Sequence, residues 1–491
     1  MSQFASVETD VLIVGAGPAG LTTSCLLTGS LRDVVVIERD PHTVGGIART
    51  IDHKGFLFDS GGHRFTSRSR AVERFWRDLL PNDFVERPLA TRTYRNGTLQ
   101  PHPTTAVDAL RSLGAGDAAA GLLSLAAAKL KPIHGPRTLR EWGHNAFGRH
   151  LFEALFRDRI EKACGKHCEA IPADRARETF DDLELGSPFW SSLAELSAKP
   201  AGPAFRQPVR TLRYPRRGSG MLWNAAARKT REQGGRILMG HTLVALVFDA
   251  ALGLWTATAE NADGSSLVIT ARTVVASGPI PELCGALRPT PISLFSARSL
   301  RHRALVSVPL MALRRTCFPD HWIDVNDPTL KAFRIRNFGA HSPEMVPHPD
   351  LACLAVEYVC EEGDALWSMT DADIVALARS EMDRMGLLGP RDVIATGVLR
   401  EPKACPLLDE DAEHHMAMVR LDLERAYPTL HLVGRNGTHG GHRQEHAVLS
   451  AMSTVQNILA GQRIHDAWNP AREEARWGDG LGARAAEMAA A

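Results

Sequence analysis

The chain has 491 residues, enough for two or three domains and a sizeable core. With 44% apolar residues, 23% charged residues and a net charge of +1, it has a globular composition. It lacks the long-range field that draws a chain to nucleic acid or acidic membranes, and its arginines gather only locally, near 208–217 and 298–303. The opening MSQFASVETDVLIVGAG has no basic region followed by a long apolar run, so no secretion leader is expected. The Ala/Leu run at 118–128 is too short for an integral membrane segment and reads as a packed helix, with a helix lying near a membrane surface as the alternative. Eight scattered cysteines are expected as free thiols in a cytoplasmic protein.

In chain order, DVLIV (10–14) reads as a buried parallel strand. GAGPAG (15–20) follows, then a helical stretch, then a second strand DVVVIE ending at Glu38. This strand–glycine loop–helix–strand order is a dinucleotide-binding unit. Gly15 permits the tight turn, Gly17 lets backbone N–H groups approach a pyrophosphate, and Gly20 lets the helix pack on the strand. The anion would sit at the positive helix end, and Glu38 would accept hydrogen bonds from ribose hydroxyls. Farther along, ERDPHTVGGIART brings a second glycine pair and Arg49, a basic group suited to a pyrophosphate.

The spacing ERx(5)GGxxRT resembles the flavoprotein superfamily of amine oxidases, protoporphyrinogen oxidase and UDP-galactopyranose mutase. The resemblance implies that the dinucleotide is FAD. It adds Pro18, Ala19, Arg39, Gly46, Ile47 and Ala48 to the cofactor contacts. It also implies that GFLFDSGGHRF returns as a strand along the flavin ring. Gly61 and Gly62 then leave room for the ring, and His63 lies beside it, as in the Gly-Gly-His loop of eukaryotic-type mutases. His63 is the candidate acid or base, with loop fixation as the alternative. Asp59 reads as a loop-fixing acceptor.

Residues 75–209 read as mainly helical, interrupted by a hairpin near 87–103; GAGDAAAG (114–121) follows a helix and reads as a turn. Residues 234–277 read as alternating strands re-entering the nucleotide domain, with Val244 set against the adenine by resemblance. FRIRNFGAHSP resembles the mutase segment whose Arg grips the substrate pyrophosphate, which places Arg334 in that role. LHLVGRNGTHGGHRQEHAVLSAMSTVQNIL (430–459) reads as strand, glycine loop and helix. It resembles the segment that closes the flavin site, and implies cofactor contacts from Gly434, Arg435, His446, Ala447 and Val448. No metal site is assigned. CGKHC (164–168) has no second ligand pair, and glycines separate His439 from His442.

The fold class expected is α/β. A discontinuous Rossmann-like FAD-binding domain (1–72, 210–280, 425–470) carries a helical insertion (73–209), a mixed α+β substrate domain (281–424) and a tail (471–491). The chain departs from true mutases. Four tyrosines occur in all, His341 and Cys405 stand where mutase tyrosines are expected, and EKACGKHCEA lacks a tryptophan. The leading expectation is an FAD-dependent oxidoreductase moving hydride from a small polar metabolite to flavin N5, reoxidised by oxygen or an external acceptor. The alternatives are a mutase-type non-redox flavin isomerase and a non-catalytic flavin-bearing partner. A homo-oligomer is compatible with all three.

Overall fold

The computed structural model describes residues 5–62, 64–101, 110–111, 113–176, 179–180, 211–314, 317–408, 410–440, 443–470 and 473. His63 and His442 lie outside them. Strand β1 (Ala5–Val14) and strand β2 (Val34–Glu38) lie side by side and parallel, as the apolar runs predict. Val11, Ile13, Val34 and Val36 face one core; Leu12, Val35 and Ile37 face another. Burial on both faces is why these strands read as continuous apolar runs instead of alternating ones.

This first sheet runs Leu287–Arg288, His241–Asp249, Leu254–Asn261, Ser266–Ala276, β1, β2 and Arg236–Met239, with Leu430–Leu432 paired parallel to the end of Ser266–Ala276. Helix α1 (Pro18–Gly29) and helices Gly220–Glu232 and Gln444–Ala460 pack into the core on one face. Helix Glu410–Ala426 packs into the core on the other. Chain segments from both ends and the middle of the sequence thus build one sheet.

In a second sheet the long strands His302–Leu313 and Leu351–Cys360 pair antiparallel, and the sheet backs on helix Asp371–Arg384. The hairpin expected near 87–103 forms as Thr91–Arg95 and Thr98–Pro101, but it does not stand among the helices. It extends the second sheet by pairing parallel to Trp322–Val325. The preceding strand, Phe84–Pro88, pairs with Thr211–Pro215. Helices 139–147, 149–152 and 158–164 form a separate aromatic-rich cluster around Phe147, Phe152 and Phe156.

Two local readings are corrected. GAGDAAAG is not a turn: Gly114 leads into helix Ala115–Leu130, because the alanines that follow favour helix. That helix, expected to be packed, buries only Gly121 and Leu125, and Leu123 and Leu130 are 73% and 88% exposed.

Candidate functional site

The glycine loop has the geometry its spacing predicts. Gly15 takes φ +99°, a left-handed conformation that disfavours a side chain, and its N–H donates to Ile37 O at 2.8 Å. A Cβ on Gly20 would lie 1.9 Å from Gly15 O, so this glycine is the contact between helix and strand and does not line the cleft. A Cβ on Gly17 would meet nothing within 4 Å; that face is open. Gly17 caps α1 without a side-chain acceptor, so the first-turn N–H groups stay available to an anion.

These groups border a cleft of about 660 Å³ that also takes in Pro18, Ala19, Glu38 and Arg39. Glu38 is held at the end of β2, where its carboxylate accepts from Ala16 N at 2.6 Å and from Asp40 N at 2.9 Å. Gly46, Ile47 and Arg49 border the cleft from the segment after β2. Ala48 does not: it is fully buried, and its carbonyl accepts from Ser219 Oγ at 2.8 Å. Arg49 forms an ion pair with Glu401, which also accepts from Ser60 Oγ at 2.7 Å. Glu401 comes from the second sheet and clamps both ends of the Thr50–Asp59 hairpin. No motif announced it.

At the far end the cleft is bordered by His241, Thr242 and Leu243 instead of Val244. The ladder slips between Leu243 and Ala245, and Val244, at this bulge, is 39% exposed. Ser277 and Gly278, at the end of strand Ser266–Ala276, form a floor that the sequence reading also missed. Ser277 Oγ donates to Val14 O at 3.0 Å, which binds the two strand ends together.

The C-terminal segment completes the site. Gly434 has φ +74°, and a Cβ there would press on Ala19 at 2.7 Å. Gly434, Arg435 and Ala447 border the cleft; Val448 faces the core, and His446 is buried with its ring against Arg443. Neither Val448 nor His446 borders the cleft, although both stand in the first turns of the helix that supplies Gln444 and Ala447 to it. Gln444 does. It is buried, borders the cleft, and among the described residues neither its amide oxygen nor its nitrogen has a partner. A buried amide left unsatisfied costs about 1–3 kcal/mol, so this one fits a ligand that hydrogen-bonds there.

Beyond Ile47 and Arg435 the cleft meets an inner pocket of about 290 Å³, which contains Gly61, Gly62 and Arg334. Gly61 O accepts from Arg336 at 2.6 Å, and a Cβ on Gly62 would sit 3.5 Å from Arg334 Nη1. Arg334 donates through Nε to Asp324 at 2.7 Å; Asp324 pairs with Arg159 as well, at 2.6 Å. Asp59 is fully buried and accepts from Thr50 Oγ1, Ser219 N and the Tyr214 hydroxyl. Burial pushes its carboxyl pKa up, against the pull of Arg336. With its oxygens committed to the hairpin and the 214–219 turn, it is a structural acceptor.

His341 is buried, hydrogen-bonds Asn337 O at 2.8 Å, and packs on Tyr214 with ring centroids 4.8 Å apart; it does not border the pocket. Cys405 does. Among the described residues no group of three or more His, Cys, Asp or Glu is placed to hold a metal, and no helix is long and apolar enough to cross a membrane.

Residues 13–79 match the family of NAD(P)-binding Rossmann-like domains. No curated protein matches the sequence. Solved structures do match the fold. Reduced UDP-galactopyranose mutase superposes with a TM-score of 0.76 at 16% identity, over 96% of this chain and 99% of that one. A candidate protoporphyrinogen oxidase from Exiguobacterium sp. 255-15 gives 0.72 at 16% identity, over 94% and 100%. Putrescine oxidase bound to putrescine gives 0.59 at 15% identity, over 93% and 100%. The resemblance read from the motifs therefore holds for the fold along nearly the whole chain: it is similar to the mutase and to both oxidases, with a Rossmann-like segment at its start.

Proposed function

We propose that the chain is an FAD-dependent oxidoreductase acting on a small polar metabolite held in the inner pocket. The observation that carries this is one continuous path. The uncapped start of α1 leads along the cleft to the unpartnered amide of Gln444, and from there to the glycine-lined mouth of the pocket. The residues fit the cofactor: Glu38 for a ribose, the α1 amides and Arg49 for the pyrophosphate, Gln444 and Arg435 for the polar edge of the ring. A bound flavin would supply the two-electron acceptor for a hydride leaving a carbon beside a heteroatom.

The chain's part is to orient, exclude water and manage charge. Gly61 and Gly62 give close approach without a side chain in the way. Arg334, fixed by Asp324, offers its remaining N–H groups to the substrate. His63 follows the glycine pair and is the residue proposed to take or return a proton. In this reading the discontinuous segments 1–72, 210–280 and 425–470 hold the cofactor, and 281–424 supplies most of the substrate side. The alternative, a non-redox isomerase of the mutase type, draws on Arg334 lying beside Gly62.

One experiment separates the two. An anaerobic visible spectrum of flavin-loaded protein is recorded with sugar nucleotides, amines and hydroxy acids. Bleaching by one class supports substrate oxidation. Turnover of UDP-galactofuranose only after dithionite reduction, with no bleaching by any class, establishes the isomerase instead.

A further inference from the structure

The inner pocket is unevenly charged. Arg175, Arg303, Arg334 and Arg435 border it, and among the described lining residues Glu357 is the one carboxylate set against them. That carboxylate is already claimed by Arg336 Nη1 at 3.4 Å, and Arg334 is tied to Asp324. Arg175 reaches Glu413 at 3.7 Å.

Arg303 is different. It is only 8% exposed, on strand His302–Leu313, directly opposite Cys405 of the paired strand. Its Nη2 donates to Val359 O at 3.1 Å, Glu361 lies 3.9 Å from its Nη1, and among the described residues its buried Nε has no acceptor. The neighbouring chain is shaped around it. Gly165 has φ +67°, and a Cβ there would lie 1.1 Å from Arg303 Nη1, so the guanidinium occupies the space that a side chain on this turn would fill. This accounts for the glycine inside CGKHC. Arg435 stands where cleft and pocket join, bordering both.

A buried guanidinium with an unused donor is costly unless a ligand supplies the acceptor. A carboxylate or phosphate matches its fork. We propose that the inner pocket binds an anionic group of the substrate, a carboxylate or a phosphate, at Arg303, with Arg435 at the entrance. This rests on the flavin reading of the adjoining cleft. It also sets the pocket against cationic amines, which would meet four guanidinium groups and no uncommitted carboxylate among the described lining residues.

The test uses FAD-loaded protein, so that the cleft's own anion site is filled. Sodium malonate, sodium pyrophosphate and 1,4-diaminobutane are titrated at constant ionic strength while the bound-flavin absorbance is followed. A saturable change with malonate supports a carboxylate; with pyrophosphate, a phosphate. Arg303→Gln should raise the Kd of the responding anion at least about tenfold with flavin content unchanged, the loss of a charge-assisted contact. If Arg303→Gln does not hold flavin, Arg303→Lys is used, and the lost fork should weaken binding in the same direction. Indifference to both anions, an equal response to the diamine, or an unchanged Kd in a flavin-loaded variant overturns the inference alone. Failure of the wild-type protein to take up FAD overturns the proposed function and this inference with it.

Discussion

Gly17 and Gly20 belong to one motif but should fail in opposite ways when replaced by alanine. Gly17 has φ −76° and ψ −177°, an extended conformation open to any residue, and its added Cβ would meet no atom within 4 Å. Gly17→Ala should therefore fold, at a cost of about 1 kcal/mol or less for a poorer helix cap. Its methyl would project where a pyrophosphate must approach the α1 amides, weakening FAD binding at least about tenfold, or about 1.4 kcal/mol. In Gly20→Ala the Cβ would sit 1.9 Å from Gly15 O, more than 1 Å inside ordinary contact, and the obstacle is backbone. Helix and strand must separate, at about 1–3 kcal/mol or more. Thermal unfolding followed by circular dichroism and FAD titration followed by flavin fluorescence measure both effects. Stability lost mainly in Gly17→Ala, or FAD affinity unchanged in it, would refute the assignment of contact to one glycine and approach to the other.

Three further outcomes follow from the geometry. Glu401→Gln leaves Arg49, a largely buried guanidinium, without its counter-charge. Urea unfolding should show a loss of up to about 3 kcal/mol, and a change below about 0.5 kcal/mol counts against the clamp. His302 is held down to about pKa 3 by burial first, then by His439, Lys403 and Arg435. Its folded pKa lies below the unfolded value, so its contribution is complete above about pH 6.5 and is lost as pH falls towards 3, at up to about 1.4 kcal/mol per pH unit. His302→Gln should flatten the stability profile over that window, and an unchanged slope removes His302 as its source. Arg334→Lys keeps the charge but loses the planar fork held by Asp324. Once a substrate is in hand, kcat/KM should drop at least about tenfold with flavin content intact; equal efficiency would take Arg334 out of the mechanism.

The sequence by itself determined what depends on neighbours in the chain. A run of Val and Ile, three glycines at fixed spacing and an acid at the next strand end specify β1, the loop, α1 and β2, because turn conformation and two-sided burial are local demands. The strand, loop and helix at 430–459 were legible for the same reason. Only the tertiary structure decided which distant groups meet. Arg49 and Glu401 lie 352 positions apart, and no local pattern marks the glutamate. Arg303 faces Cys405 through the register of two antiparallel strands, where a slip of one residue would turn either side chain to the other face. The hairpin at 91–101 carries its own strand signal, but its partner, Trp322–Val325, is more than two hundred residues away, so its sheet could not be named from the hairpin. Gln444 belongs to the 430–459 segment that resembles the closing flavin motif, but that its amide is buried beside the cleft is decided by the fold. Backbone conformation is set within a few residues, whereas burial and charge pairing depend on which surfaces the whole chain brings together.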